Sequence, residues 1–128
     1  MPHRRINVSS SSPFEDQVGY SRAVRVGPLV VVAGTTAPGD GVAVQAREVF
    51  RRIEVALGEA GAALTDVVRT RMYVTDISNW ETVAAVHAGV FGTIRPVATM
   101  VEVSALISPE LLVEVEVDAY VADYDAPD

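Results

Sequence analysis

Cysteine is absent from this chain of 128 residues, and with it go disulfides, thiolate nucleophiles and cysteine metal ligands. The absence suits a reducing compartment, and the cytoplasm is the expected location. Only two histidines occur, His3 and His87, far apart and without carboxylates at ligand spacing, so no metal site is expected. Ser9 to Ser12 has no partner histidine and no glycine-framed elbow, which leaves serine-nucleophile chemistry unsupported. The longest apolar run, Pro28 to Ala33, is far too short to cross a bilayer. The opening MPHRRINVSSSS lacks the apolar segment of a secretory signal. Positive charge is scarce as well. Ten basic against seventeen acidic residues give a net charge of −7, which argues against a nucleic-acid partner because phosphate binding needs a basic surface. The loop TTAPGDG at 35–41 is glycine-rich but no lysine follows it, so it is not a phosphate loop.

What is present is a globular pattern. Nearly half of the residues, 49%, are hydrophobic, and the length allows one domain with one core. Residues 1–12 read as a flexible arm because of the polar run Ser9 to Ser12, and residues 13–128 as a single domain. The strongest local signal lies near the C-terminus. Val113, Val115, Val117, Ala119 and Val121 alternate with Glu114, Glu116, Asp118 and Tyr120, a period-two strand with one apolar and one polar face. Residues 97–103 alternate in the same way. Thr99, Val101 and Val103 are expected to face the core, with Ala98, Met100 and Glu102 opposite. The two strands read as a hairpin-like unit joined by a turn at Ser108-Pro109-Glu110.

Upstream, Tyr20 to Val26 predicts a strand ending at the Gly27-Pro28 turn, and Leu29 to Ala33 a second strand buried on both faces. Ala46, Val49, Phe50, Ile53, Ala56, Leu57 and Ala60 follow helical spacing, and Gly61 supplies a left-handed stop. Asp66 to Thr75 predicts a strand with Thr70, Met72 and Val74 toward the helices and Arg69, Arg71 and Tyr73 on the other face. Ser78-Asn79-Trp80-Glu81 reads as a capping box opening a second helix that ends near Gly92. The result is an α+β domain, a five-stranded sheet with two helices on one face. Its uncovered face sets Arg69 and Arg71 against Glu102, Glu114, Glu116 and Asp118, a self-complementary surface suited to an oligomer.

The segment from Pro96 through the V-E-V strand to the acidic strand resembles the Rid family, also called the YjgF or reactive-intermediate deaminase family. Gly19-Tyr20, the run ending at Ala33-Gly34, Ala60-Gly61, Val67-Val68-Arg69-Thr70, Tyr73-Val74 and Asp76 extend the match over roughly residues 19–121. The resemblance implies a chorismate-mutase-like fold, a mixed sheet assembled as a homotrimer with clefts between subunits. It also implies site residues: Tyr20 as the cleft tyrosine, Gly34 as the backbone glycine and Glu114 as the glutamate that positions the attacking water. In deaminating members an arginine after the strand's proline grips the substrate carboxylate; here that position is Ala98. Met100 stands where a cleft cysteine is usual, and Ala84 is nearest to a helix asparagine. Arg95, Arg71 and His87 are candidates to replace the missing cation, with Arg71 on the same expected face as Glu102.

The reading that follows is a divergent family member that binds and hydrolyses a small imine, enamine or carbonyl metabolite without a cofactor. The alternative is a non-catalytic trimer that binds a small molecule or another protein, and Ala98 favours it. An endoribonuclease is the third.

Overall fold

The structure, a computed structural model, describes residues 4–123, so His3 lies outside the described residues. Six strands form one mixed sheet: β1 (Arg5–Val8), β2 (Ala23–Val26), β3 (Leu29–Thr35), β4 (Val67–Val74), β5 (Val97–Glu102) and β6 (Val113–Tyr120). Three helices complete the α+β fold: α1 (Pro13–Val18), α2 (Val42–Glu59) and α3 (Trp80–Phe91). The strand order is β1-β2-β3-β6-β4-β5, with β4 and β5 parallel and every other neighbouring pair antiparallel.

The alternation read in β6 is realised. Val113, Val115, Val117 and Ala119 are completely buried, and each valine buried in this way contributes roughly 1.5–3 kcal/mol. They pack beneath Ala46, Val49, Phe50, Ile53, Ala56 and Leu57 of α2 and Val83 and Phe91 of α3. Gly61 ends the α2 turn with φ 79°, the left-handed backbone that β-carbon sterics make costly for other residues. Gly27, at φ 56°, does the same in the β2–β3 turn.

Several expectations need correction. Residues 5–8 are not a loose arm but an edge strand paired to β2. Ser9 Oγ (2.9 Å), Ser10 N (3.0 Å) and Ser10 Oγ all donate to the buried Glu15 carboxylate of α1, so the polar run has a local acceptor that compensates it. Next, β5 and β6 are not a hairpin, because β4 lies between them. The crossover through α3 makes β5 parallel to β4, and with that its orientation reverses. Ala98, Met100 and Glu102 stand in register with Thr70, Met72 and Val74, on the side of the sheet that carries the helices; Thr99 and Val101 share the open side with Arg71 and Tyr73. Glu102 is therefore not part of the open charged face. Instead its carboxylate accepts the Ile77 N–H at 3.0 Å.

The capping box also falls differently. Asp76 is the cap, with Oδ1 accepting from Ser78 N (3.0 Å) and Ser78 Oγ (2.7 Å) to start a 3-10 turn at Ile77–Asn79 that leads into α3. In β3 only one face is covered: Val30 and Val32 are buried, whereas Leu29 is exposed. On the open face Arg71 and Arg69 reach Asp118 at 3.3 and 3.9 Å, and the Tyr73 hydroxyl donates to Glu116. The cross-strand charge pairing expected there is present, without Glu102.

Candidate active site

Glu114 is the first polar position of β6, and its side chain leaves the sheet on the face opposite Val113 and Val115. Beside it runs β3, whose register with β6 shifts between Val32 and Thr35. Gly34 lies inside that irregularity, where a bulge re-aims the chain. The absence of a side chain there admits the Glu114 carboxylate, since a β-carbon on Gly34 would fall against its Oε2. Tyr20 enters from the segment after α1. Gly19 and Tyr20 donate their N–H groups to the Glu15 carbonyl at 2.8 and 3.0 Å, which fixes where Tyr20 starts.

These three residues line one cleft of about 1030 Å³. Its walls are Ser10, Ser12 and Phe14 at the α1 end, Val55 and Glu59 of α2, and Ile107 in the segment before β6. Gln45 secures that segment to α2. Its side-chain amide donates to Glu110 O (2.9 Å) and Gly39 O (3.1 Å), and its Oε1 accepts from Leu112 N (2.8 Å). A buried amide with three partners satisfies the demand that polar groups taken from water be hydrogen-bonded.

The electrostatics single out Glu114. Burial raises its pKa above the ordinary carboxylate value, the neighbouring Glu116 raises it further, and Arg22 works in the opposite direction. Glu114 makes neither a hydrogen bond nor an ion pair among the described residues, whereas Glu116 is engaged by Tyr73 and Asp118 by Arg71. A half-buried, uncommitted carboxylate with a raised pKa is the usual character of a general base.

Arg22 is the residue that sequence reasoning missed. Its Nη2 donates to Gly34 O at 2.9 Å and its Nη1 to Thr35 Oγ1 at 3.2 Å, and its guanidinium carbon lies 5.7 Å from the centre of the Tyr20 ring. One signal for it existed: it stands two positions after Tyr20, the spacing that puts two side chains on one face of an extended segment.

The other candidates do not line this cleft. Arg71 is held by Asp118. Arg95 is exposed, with its Nε donating to Gly92 O at 3.1 Å and its backbone at φ 57°. His87 packs between Phe50 and Phe91, and its Nε2 shares a 2.9 Å hydrogen bond with Thr70 Oγ1; burial lowers its pKa and favours the neutral ring. Met100 leans on the core edge, and Ala98 is exposed on edge strand β5. The arrangement within one chain is thus a carboxylate, a glycine backbone, a tyrosine and an arginine, with the β5 residues at the far side of the sheet. Among the described residues no three histidine or carboxylate side chains gather as a metal site would need, and no helix is long and apolar enough to cross a membrane.

Comparison with known proteins gives this geometry a context. The sequence model of the family described as Endoribonuclease L-PSP matches residues 11–121. Rv2704, a member of the YjgF/YER057c/UK114 family from Mycobacterium tuberculosis, has a crystal structure similar at a TM-score of 0.91. It is 69% identical, and the match covers 92% of this chain and 100% of that one. A RutC family protein of Pyrococcus abyssi is 36% identical over 109 residues, 79% of this chain and 85% of its own length. The 2-iminobutanoate/2-iminopropanoate deaminase of Salmonella typhimurium is 27% identical over 107 residues, 76% of this chain and 83% of its own.

Proposed function

Because this chain belongs to the endoribonuclease L-PSP family, whose relatives also carry the YjgF, RutC and Rid names, we propose that it hydrolyses a small imine in the cleft beside Glu114. One observation carries the reading: Glu114 is half-buried, held against Gly34 and left without a partner among the described residues. Water attacks the imine carbon while the Glu114 carboxylate takes a proton from it, giving a tetrahedral amino alcohol. The proton held by Glu114 then passes to the amino group, and collapse forms the carbonyl and breaks the carbon–nitrogen bond; the hydroxyl proton goes to the departing ammonia, which leaves as ammonium with Glu114 ionised again. An iminium and one water thus become a carbonyl and an ammonium ion, with no electrons gained or lost and no cofactor required. Tyr20 and the backbone at Gly34 orient the reacting atom.

The same reading extends to assembly. The open face of the sheet leaves Val26, Leu29, Val97, Val101 and Tyr120 exposed beside the Arg69, Arg71 and Asp118 charges, a surface that a homotrimer would cover. A neighbouring copy's β5 is then the route by which Ala98 and Met100 reach the cleft.

Imines generated in situ from a range of amino acids, followed by loss of the imine with and without the protein, test the reaction. Wild-type turnover that Glu114→Ala abolishes supports it. A second reading, binding without catalysis, is favoured by Ala98, whose methyl group offers no charge. It predicts that Glu114→Ala changes ligand affinity while no imine is turned over by either protein. Ribonuclease activity has the least support, since the net charge is −7 and the cleft carries a carboxylate.

A further inference from the structure

Arg22 is the cation of the cleft whose charge no carboxylate takes up directly. Arg51 and Arg52, on the same cleft's wall, are paired to Glu48 at 2.7 and 3.1 Å. Arg69 and Arg71 are paired to Asp118. Arg22 forms no ion pair among the described residues. Its two hydrogen bonds go to uncharged oxygens, Gly34 O and Thr35 Oγ1, which fix the plane of the guanidinium without neutralising it. Each terminal nitrogen carries two N–H groups, so one on each remains beyond those bonds. The Nε is buried and has no partner among the described residues, which directs any ligand to the terminal edge. A planar fork held in this way matches the two oxygens of a carboxylate.

Apolar side chains line the cleft as well, beside the polar Ser10, Ser12 and Glu59. Phe14, Val18, Val55 and Ile107 all line it with exposed apolar side chains. The cleft therefore offers a fixed cation near Glu114 and exposed apolar side chains in the same space.

We infer that Arg22 is the specificity-determining residue of the site: it binds the carboxylate of a 2-imino acid whose apolar substituent rests on Phe14, Val18, Val55 and Ile107. The inference rests on the proposed hydrolysis for its reaction, but the anion site stands on its own geometry. With the carboxylate on Arg22, the imine carbon is one bond away and the Glu114 carboxylate delivers water to it. Hydrolysis yields the 2-oxo acid and ammonium.

The test pairs substrates that differ only in the carboxylate. An L-amino acid oxidase converts phenylalanine to its imino acid, and an amine oxidase converts 2-phenylethylamine to the imine that lacks the carboxylate. Leucine and alanine complete the panel. Arg22→Gln is expected to raise KM for the phenylalanine and leucine products about tenfold or more, with kcat changed far less. At a pH on the plateau above the acid limb, KM for the carboxylate-free imine should change far less in Arg22→Gln than KM for its imino-acid partner, Arg22→Lys should recover part of the loss, and Ile107→Ser should penalise leucine and phenylalanine products but not the alanine product. Equal losses on both members of the phenylalanine pair, or none on either, overturn the inference.

A wild type that hydrolyses no imine defeats the proposed reaction alone. Calorimetric binding of 4-methyl-2-oxopentanoate and of its aldehyde counterpart, 3-methylbutanal, then decides the anion site. Selective loss of the oxo acid in Arg22→Gln upholds it. Absence of oxo-acid binding, or binding indifferent to Arg22→Gln, overturns it. If Arg22→Gln fails to fold, the Arg22→Lys and Ile107→Ser arms carry the decision on the same criteria.

Discussion

The Glu114 carboxylate occupies the space in which a side chain at Gly34 would begin: a β-carbon there would stand 3.0 Å from the Glu114 Cδ and nearer still to one of its oxygens. Gly34 is therefore a vacancy that seats the Glu114 carboxylate. Gly34→Ala meets only the end of a flexible side chain, so the clash is relieved by turning Glu114 away rather than by moving backbone. The expected result is a large fall in kcat with a thermal midpoint close to wild type. A variant with normal turnover would show that the seat is unnecessary.

The pH dependence follows from the same carboxylate. Burial, the largest cause, and Glu116 hold its pKa above the ordinary value, while Arg22 opposes them. As a general base Glu114 acts when ionised, so the acid limb of the pH–rate profile should lie above the ordinary carboxylate range. Arg22→Gln removes the opposing influence and should move that limb to higher pH. A limb unmoved by Arg22→Gln would separate the two residues electrostatically.

Stability carries the opposite sign. A carboxyl group whose folded pKa is raised binds its proton more tightly in the native state. Its favourable contribution is complete below the unfolded pKa and is lost as pH rises through the folded value. Ionised Glu114 is thus a net cost near neutrality. Glu114→Gln should raise the thermal midpoint at pH 7, with a smaller gain at pH 4, as calorimetry at the two pH values would register.

The start of α3 discriminates between two caps. Asp76 accepts from both the N–H and the hydroxyl of Ser78, and those bonds lower its pKa. Asp76→Ala should lower the thermal midpoint more than Ser78→Ala, which leaves the Ser78 N–H bond in place. The Asp76 contribution is present above the unfolded pKa and fades as pH falls through the depressed folded value. Equal losses from the two variants would reinstate Ser78 as the cap.

Gln45 tests how the cleft's Ile107 segment is held. Gln45→Leu removes the hydrogen bonds to the Gly39 and Glu110 carbonyls and from the Leu112 N–H, each worth about 0.5–1.5 kcal/mol net because these groups remain within reach of water. Urea denaturation should reveal a loss of that order. KM for apolar imino acids should rise as the Ile107 wall loosens.

Assembly is checked by light scattering at micromolar concentration. A trimer is expected, and charge placed on the open face, as in Val101→Asp, should dissociate it.

The sequence by itself determined the alternating strand β6, the helices α2 and α3 with their buried faces, the glycine stop at Gly61 and the gathering of Tyr20, Gly34 and Glu114. Each is written in local periodicity, in one residue's conformational freedom, or in the resemblance that named the trio. Tertiary structure decided the rest. Period two shows that β5 has two faces, but only its parallel pairing with β4, set by the α3 crossover, placed Ala98, Met100 and Glu102 on the helix side. Likewise the polar run at Ser9 and Ser10 reads as disorder until the buried Glu15 supplies its acceptor. Arg22 looks like any strand-edge arginine until the bulge in β3 brings Gly34 O and Thr35 Oγ1 to its terminal nitrogens. Hydrogen-bond partners many residues apart leave no periodic trace in the chain, because what selects them is the closure of the sheet and not the spacing of side chains along it.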